Sequence, residues 1–362
     1  MPQSTLPLTP VWLDCDPGHD DAIAILLAGY SPQLHLLGIS TVAGNQSVEK
    51  VTENARRVLY AAGLAGVEVV QGQGRPVMRD PVACAEIHGD SGLDGPSGGP
   101  LLPPVPEGAG IGPHSTGPTG ARCTDTDISA PAAAGPLQPR GVVVMAERIA
   151  AAAAQRAQRV HVVATGALTN VALLLTLFPE IVDRIEIVFM GGALGTGNTG
   201  PSTEFNIQVD PEAAAMVMRS GARITMVPLE VTHTALVGPE VATAVLGAAP
   251  GGATPFRQAM HDLLHFFAKT YKKVFDFVHP PLHDPCAVAY VIDRSLFKAS
   301  HLRVDVETHS VLSAGQTVTD LRRTTGRAPN ATVCLAMDVA AFWRLVLDAI
   351  AAADARSPLN NN

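Results

Sequence analysis

The chain has 362 residues, 47% of them hydrophobic, with a formal net charge of −8. That is ample for one large domain with a sizeable core, and 25 Lys and Arg spread without a basic stripe argue against a nucleic-acid partner. No uncharged apolar run approaches the roughly 18 residues of a membrane span, and the first ten residues lack the basic and apolar regions of a secretory signal. Five scattered cysteines (Cys15, Cys84, Cys123, Cys286, Cys334) form no C-x-x-C pair and read as reduced thiols of a cytoplasmic protein.

In chain order, a β-branched run at 11–15 predicts the first strand and 20–29 the first helix. Strand 34–42, helix 47–63 and strand 67–70 follow. From 95 to 140 the pattern breaks: 19 of these 46 residues are Pro or Gly, which predicts an exposed, largely disordered insertion. Helix 142–158, strand 160–164, helix 168–178, strand 185–190, helix 211–220 and strand 224–228 resume the alternation. Gly29, Gly63 and Gly221 stand where C-terminal caps belong. After Gly238 the chain reads as helical to about Tyr271, an apolar helix spans 286–292, and 302–319 looks like a strand pair. This alternation predicts one α/β domain over 10–350, a mostly parallel open sheet of Rossmann-like type with helices on both faces, ending in a frayed tail at 355–362.

Asp14, Asp16, Asp20 and Asp21 fall within eight residues at the end of the first strand. At about 4 Å and an effective dielectric near 20, each like-charged pair costs roughly 4 kcal/mol, so ionised neighbours need a cation or must take up protons. The Pro17-Gly18 turn folds Asp16 back beside Asp20 and Asp21, and oxygen-only donors suit a hard ion, Ca²⁺ or Mg²⁺. The plainer alternative is that Asp20 and Asp21 cap a helix while Asp14 and Asp16 lie on a solvated turn.

In an open parallel sheet, ligands bind beyond the carboxyl ends of the strands. Asp16, Asn45, Thr165 and Met190 each follow a predicted strand. Asn198 to Asn206 adds a carboxylate and amides able to hold several hydroxyl groups, and His283-Asp284 precedes the helix at 286–292. Singly, Asp284 before Pro285 is an ordinary helix cap, and Met190 ordinary core.

Asp14-Cys-Asp-Pro-Gly-His-Asp-Asp21, Val42-Ala-Gly-Asn45, His88-Gly-Asp-Ser-Gly92, Thr165-Gly-Ala-Leu-Thr-Asn170, Phe189-Met-Gly-Gly192, Glu204-Phe-Asn206 and His283-Asp-Pro-Cys-Ala-Val-Ala-Tyr290 together resemble the inosine-uridine preferring nucleoside hydrolases, in that family's order. The resemblance implies hydrolysis of the N-glycosidic bond of ribonucleosides, uridine or inosine, around a Ca²⁺ at the base of the crevice. It implies Asp16, Asp21, Asp284 and the Thr165 carbonyl as metal ligands. Asp20, Asn45, Asn198, Glu204 and Asn206 are implied ribose contacts, with Met190 and Phe205 beside the sugar, and His283 facing the base with His88 and Tyr271 in reach. A small-molecule substrate and a homodimer or homotetramer belong to the same expectation.

The residue types suit this chemistry independently. Asp16 is placed to deprotonate the attacking water, and His283, when protonated, to assist the leaving base. An anionic crevice stabilises the positive charge that builds on the ribose. The purine-specific branch stacks its base between tryptophans; here Trp12 and Trp343 sit away from the crevice loops. Two rival readings remain. A haloacid-dehalogenase-type Mg²⁺ phosphatase would use Asp14 as nucleophile but needs a lysine absent from the Thr165 and Met190 segments; a non-catalytic Ca²⁺-dependent nucleoside binder would keep the crevice without turnover.

Overall fold

Strand β1 (Thr9–Cys15) is buried from Pro10 onward, the burial of a parallel strand covered on both faces. The computed structural model describes residues 7–111, 141–156, 158–247 and 252–361 and places β1 in the interior of an eight-stranded sheet. There follow α1 (His19–Tyr30), β2 (Leu34–Thr41), α2 (Val48–Ala61), β3 (Val69–Gln71), α3 (Ala85–His88), α4 (Gly141–Arg156), β4 (Val160–Ala164) and α5 (Thr169–Leu177). Next come β5 (Ile185–Met190), α6 (Phe205–Val209), α7 (Pro211–Arg219), β6 (Arg223–Val227), α8 (Leu229–Thr232), α9 (Pro239–Leu246) and α10 (Pro255–Phe275). The chain ends with α11 (Pro285–Ile292), β7 (Phe297–Leu302), β8 (Val304–Val306), β9 (Thr317–Thr319), β10 (Ala331–Met337) and α12 (Val339–Asp354).

The strand order is β3-β2-β1-β4-β5-β6-β10-β7, parallel except for the β10–β7 edge. The chain runs outward from β1 to β3, then returns to lay β4 on the other side of β1. That reversal opens a crevice between the carboxyl ends of β1 and β4. It brings Thr165 beside the strand that carries Asp14 and Asp16, and the Thr165 amide donates to the Asp14 carbonyl at 2.8 Å. One sheet face packs against α1, α2, α10, α11 and α12 through Ile23, Leu59, Leu263, Val288 and Phe342. The other packs against α4, α5 and α7 through Met145, Val171 and Val217, with Trp12 and Phe189 filling the space.

The α/β class, the mostly parallel sheet and the predicted first six strands appear as expected. Several details differ. Gly63 (φ 67°) and Gly221 (φ 79°) stand just past their helices, but Gly29 lies inside α1, where Leu64 packs so closely that a Cβ would sit 2.4 Å from it. The expected single helix after Gly238 is two, with Thr254 and Pro255 starting the second; Thr254 Oγ1 accepts from the Arg257 amide at 3.2 Å. Strands β7 and β10 and helix α12 are not among the predicted elements, although α12 follows an N-cap aspartate, Asp338, and buries Phe342, Val346, Ala349, Ile350 and Ala353 at helical spacing.

The Pro/Gly-rich segment is not uniformly exposed. Residues 112–140 lie outside the described residues, but Leu102 and Ile111 are buried in the main core, and Arg57 and Arg56 donate to their carbonyls at 3.1 and 3.3 Å. The expectation of disorder from residue 95 onward is corrected for 95–111, because two apolar side chains suffice to anchor it. The tail is likewise tied down: Ser357 Oγ donates to the Ala61 carbonyl at 2.6 Å, and Asn360 bridges Phe256 at the start of α10 to Asp354 at the end of α12. We therefore expect Leu102→Ala to cost about 2–5 kcal/mol, as buried leucine truncations do, measured by urea unfolding. A change below about 0.5 kcal/mol would mean that the segment adds little to the core.

Candidate active site

Asp16 leaves β1 at the turn of Pro17 and Gly18, and Asp20 and Asp21 occupy the first turn of α1. Asp21 closes that helix end, one oxygen accepting the Gly18 amide at 3.1 Å and the other the Thr165 hydroxyl at 2.7 Å. Capping and site-building are thus one interaction for this residue. Asp16 Oδ2 accepts the Asn45 amide at 2.7 Å, while Asp16 Oδ1 is buried with no hydrogen-bond partner. The carboxylate is cradled by two glycines: a Cβ on Gly44 would lie 2.1 Å from Oδ2, and one on Gly166 2.7 Å from Oδ1. The Asn45 side chain braces the turn, donating to the Asp16 carbonyl at 3.0 Å and to Asp21 at 3.2 Å.

Asp284, at the start of α11, completes the group. One oxygen each from Asp20, Asp21 and Asp284 fall within 4.8 Å of one another, all three side chains buried. Burial, reinforced by the neighbouring carboxylates, holds Asp16 and Asp284 well above the ordinary carboxylate range, and raises Asp20 to about 7. Oxygen-only donors, an orphaned Asp16 oxygen and no Lys or Arg among the described partners form a set that fits a hard cation. Asp14 stands apart. Its Oδ1 accepts from Ser40 and, at 2.7 Å, from Asn170 while Oδ2 has no partner, and burial raises it to about 7, so it ties β1 to β2 and to the first turn of α5.

The cavity above this cluster is lined by Asp20, Asn45, His88, Thr165, Met190, Asn198, Phe205, Asn206, Tyr271, His283 and Asp284 among others. Eleven residues singled out from the sequence therefore meet in one place. Asp16, Asp21 and Glu204 sit behind its wall. Glu204 is the N-cap of α6, its oxygens taken by the amides of Gly192 (2.9 Å), Asn206 (2.9 Å) and Ile207 (3.2 Å), with its pKa raised by burial to about 7. Asn206 donates to the Thr165 carbonyl at 2.8 Å and the Met190 carbonyl at 3.2 Å, joining the ends of β4 and β5. Asn198 accepts the Phe205 amide at 3.0 Å.

His283 is buried between two hydroxyls, Thr232 Oγ1 on Nδ1 and Tyr271 Oη on Nε2, each at 2.8 Å. Burial and the neighbouring His233 keep its pKa well below the usual histidine range. Burial thus favours the neutral ring, and both of its nitrogens are engaged by hydroxyl groups. Sequence reasoning assigned no site role to Thr232, Cys84, Ile87, Thr199, Phe267 or Phe275. Phe267, Tyr271 and Phe275 recur at intervals of four on α10, which puts them on one face; that spacing was a usable signal.

The sequence model of the family described as inosine-uridine preferring nucleoside hydrolase matches residues 11–344. Over 349 residues the chain is 43% identical to a probable ribonucleoside hydrolase of Dictyostelium discoideum, covering 95% of this chain and 94% of that one. It is 38% identical over 341 residues to an inosine-uridine preferring nucleoside hydrolase of Leishmania major, covering 93% and 96%. Among solved structures, a purine-preferring ribonucleoside hydrolase from Gardnerella vaginalis aligns with a TM-score of 0.76 at 27% identity, covering 96% of this chain and 99% of that one.

The relatives and the shared fold define the class as nucleoside-cleaving hydrolases, and in this chain an acidic oxygen cluster lies at the switch point of the parallel sheet under a cavity of amides and aromatics. The chain belongs to the inosine-uridine preferring nucleoside hydrolase family. It is a ribonucleoside hydrolase, splitting the N-glycosidic bond to give ribose and free base, and the phosphatase and pure-binder readings are set aside. Among the described residues no helix is long and apolar enough to cross a membrane.

Proposed function

We propose that the enzyme hydrolyses uridine, inosine or both in a Ca²⁺-dependent reaction with Asp16 as general base. The carrying observation is the orphaned Asp16 oxygen beside the Asp20, Asp21 and Asp284 cluster. Asp16, Asp21, Asp284 and the Thr165 carbonyl would hold the cation, with Asp20 close enough to share it. Bound there, Ca²⁺ supplies the charge that keeps these carboxylates ionised and polarises the attacking water. Asp16 then takes the water's proton, because its free oxygen is fixed by the glycine cradle and has nothing else to accept. Asp20, Asn45, Asn198 and Asn206 orient the ribose, with Glu204 holding the Asn206 and Gly192 backbone in place from behind the wall; Met190 and Phe205 pack beside the sugar, and the buried negative charge favours its cationic transition state.

The base occupies the end lined by Phe267, Tyr271, Phe275, His88 and His283. There the Tyr271–His283 hydrogen bond gives a path for a proton toward the leaving base. Purified protein supplied in turn with uridine, cytidine, inosine, adenosine and nicotinamide riboside, followed by free ribose, tests the substrate assignment. Absence of turnover of both uridine and inosine with Ca²⁺ present would overturn it.

A purine departs more readily once N7 is protonated, whereas uracil leaves as an anion held by hydrogen bonds. His283→Ala is therefore expected to lower kcat for inosine by on the order of 10² or more and for uridine by less. Equal losses on the two substrates would remove the selective role. We also carry with this proposal a homodimer or homotetramer and a cytoplasmic location, the latter supported by free thiols at Cys15, Cys84, Cys286 and Cys334; Cys123 lies outside the described residues. Light scattering on the purified enzyme measures the assembly.

A further inference from the structure

His88 lines the cavity from the end of α3, and the segment that follows it is strapped to α2 through successive backbone groups. Gln46 Nε2 donates to the Gly89 carbonyl at 3.1 Å, the Lys50 ammonium to the Asp90 carbonyl, and Asn54 Nδ2 to the Ser91 carbonyl at 3.0 Å. Donors spaced four residues apart thus meet three consecutive carbonyls, because positions i and i+4 share one side of a helix. Lys50 also donates to Gln46 Oε1 at 3.3 Å, which joins two of the rungs. The amides of Asp90 and Ser91 go to the Asp94 carboxylate at 3.0 and 3.1 Å, so both kinds of backbone group in this segment are held.

Asn54 has a second task that the other rungs lack. It is buried within α2, its amide nitrogen carries two hydrogens, and it also donates to the Pro17 carbonyl at 3.0 Å. Pro17 belongs to the turn between Asp16 and Asp21, so a single nitrogen bridges the turn of the acidic cluster to the segment behind His88. The two pieces press together where they meet. A Cβ on Gly18 would lie 2.4 Å from the His88 ring, and one on Gly92 3.0 Å from Asn54 Nδ2. The turn itself has further supports, since the Asn45 side chain donates to the Asp16 carbonyl and to Asp21, and Asp21 accepts the Gly18 amide.

We infer that Asn54 is a positioning residue for substrate binding: it docks the segment behind His88 onto the Pro17-Gly18 turn, so that the His88 side of the cavity is formed before a nucleoside enters. The inference rests on the cavity taking a nucleoside, as proposed above. Asn54 is not among the residues that line the cavity, so its loss acts through the fraction of molecules with His88 in place. Apparent affinity falls in proportion to that fraction, whereas a bound substrate selects the docked form and reacts at the ordinary rate. The signature is a raised KM at unchanged kcat.

The test compares Ca²⁺-loaded, substrate-free wild type with Asn54→Leu, which keeps a branched side chain and removes both N–H donors. Hydrogen exchange read by mass spectrometry is expected to show the amides of 89–92 protected in the wild type and exposed in the variant. KM for the better of uridine and inosine should rise about tenfold, the scale of one lost hydrogen bond, with kcat and the Ca²⁺-induced melting shift unchanged. In the His88→Ala background, Asn54→Leu should add no further rise. Should Asn54→Leu fail to fold, Lys50→Met, which alters an exposed rung, is expected to show the same changes at smaller size, and no change there would overturn the inference. An unchanged KM in folded Asn54→Leu, a fall in kcat alone, a smaller Ca²⁺ shift, additive losses with His88→Ala, or fast exchange at 89–92 in the wild type would each overturn it as well. Protection lost in Asn54→Leu of an enzyme that turned over no nucleoside would instead count against the proposed substrate.

Discussion

Asp16→Asn is expected to lower kcat by on the order of 10²–10⁴, the range for loss of a general base, while leaving the fold intact. The amide is nearly the same size as the carboxylate, so it fits between Gly44 and Gly166, and its oxygen can still accept the Asn45 amide, now made at 2.7 Å. Its nitrogen then occupies the position of the unpartnered oxygen and cannot take a proton from water. The substitution also removes one negative charge from a buried group of four, which relieves repulsion, so thermal stability should hold or rise in metal-free protein. Initial rates on uridine and inosine, with circular dichroism and a melting curve on the same preparation, measure all of this. Near wild-type turnover in a folded variant would place the base on another residue.

Removal of the cation should have the second largest effect. Asp16, Asp20, Asp21 and Asp284 are all buried, and no Lys or Arg is among their described partners. Without a cation they fold only by taking up protons, which burial makes them do at unusually high pH. A ligand bound only by the folded state stabilises it by about 2.7 kcal/mol at a hundredfold excess over its dissociation constant. Melting curves of chelator-stripped protein should therefore fall several degrees below those with Ca²⁺ added, and Asp284→Asn should shrink the gap. Identical midpoints with and without Ca²⁺ would sink the cation assignment, and an equal response to Mg²⁺ would reassign the ion.

Much of this site was legible because its residues sit at strand ends, where hydrophobic periodicity stops abruptly and the next polar residue must face the crevice. Asp16, Asn45, Thr165 and Met190 were found that way, and the structure gathers their segments at one switch point. What could not be read was division of labour among like residues. Asp14 and Asp16 are two apart on one strand end and each has one buried oxygen without a partner, yet Asp14 is tied by Ser40 and Asn170, 26 and 156 positions away, whereas Asp16 is held by the Asn45 amide beside Asp20 and Asp21. The surroundings of His283 were not legible because spacing carries no information on burial; its pairing with Thr232 and Tyr271 depends on how α8 and α10 approach the start of α11. Composition misled at 95–111, where Leu102 and Ile111 outweigh their Pro and Gly neighbours, and at the tail, where single hydrogen-bonding side chains at Ser357 and Asn360 do the anchoring.

The glycines flanking Asp16 give this enzyme two positions of importance that have no reactive atoms. Gly44 and Gly166 come from loops 122 residues apart, after β2 and after β4, and each marks a volume that the aspartate already fills. Drift at either position is closed off by steric exclusion and not by any loss of chemistry. With Asp16 in the role proposed, a methyl group there is expected to displace its carboxylate and lower turnover while every donor, acceptor and charge of the site remains in the sequence. Identical catalytic residues are therefore an incomplete sign of an active enzyme in this family, and the empty space beside the base must be inherited along with the base.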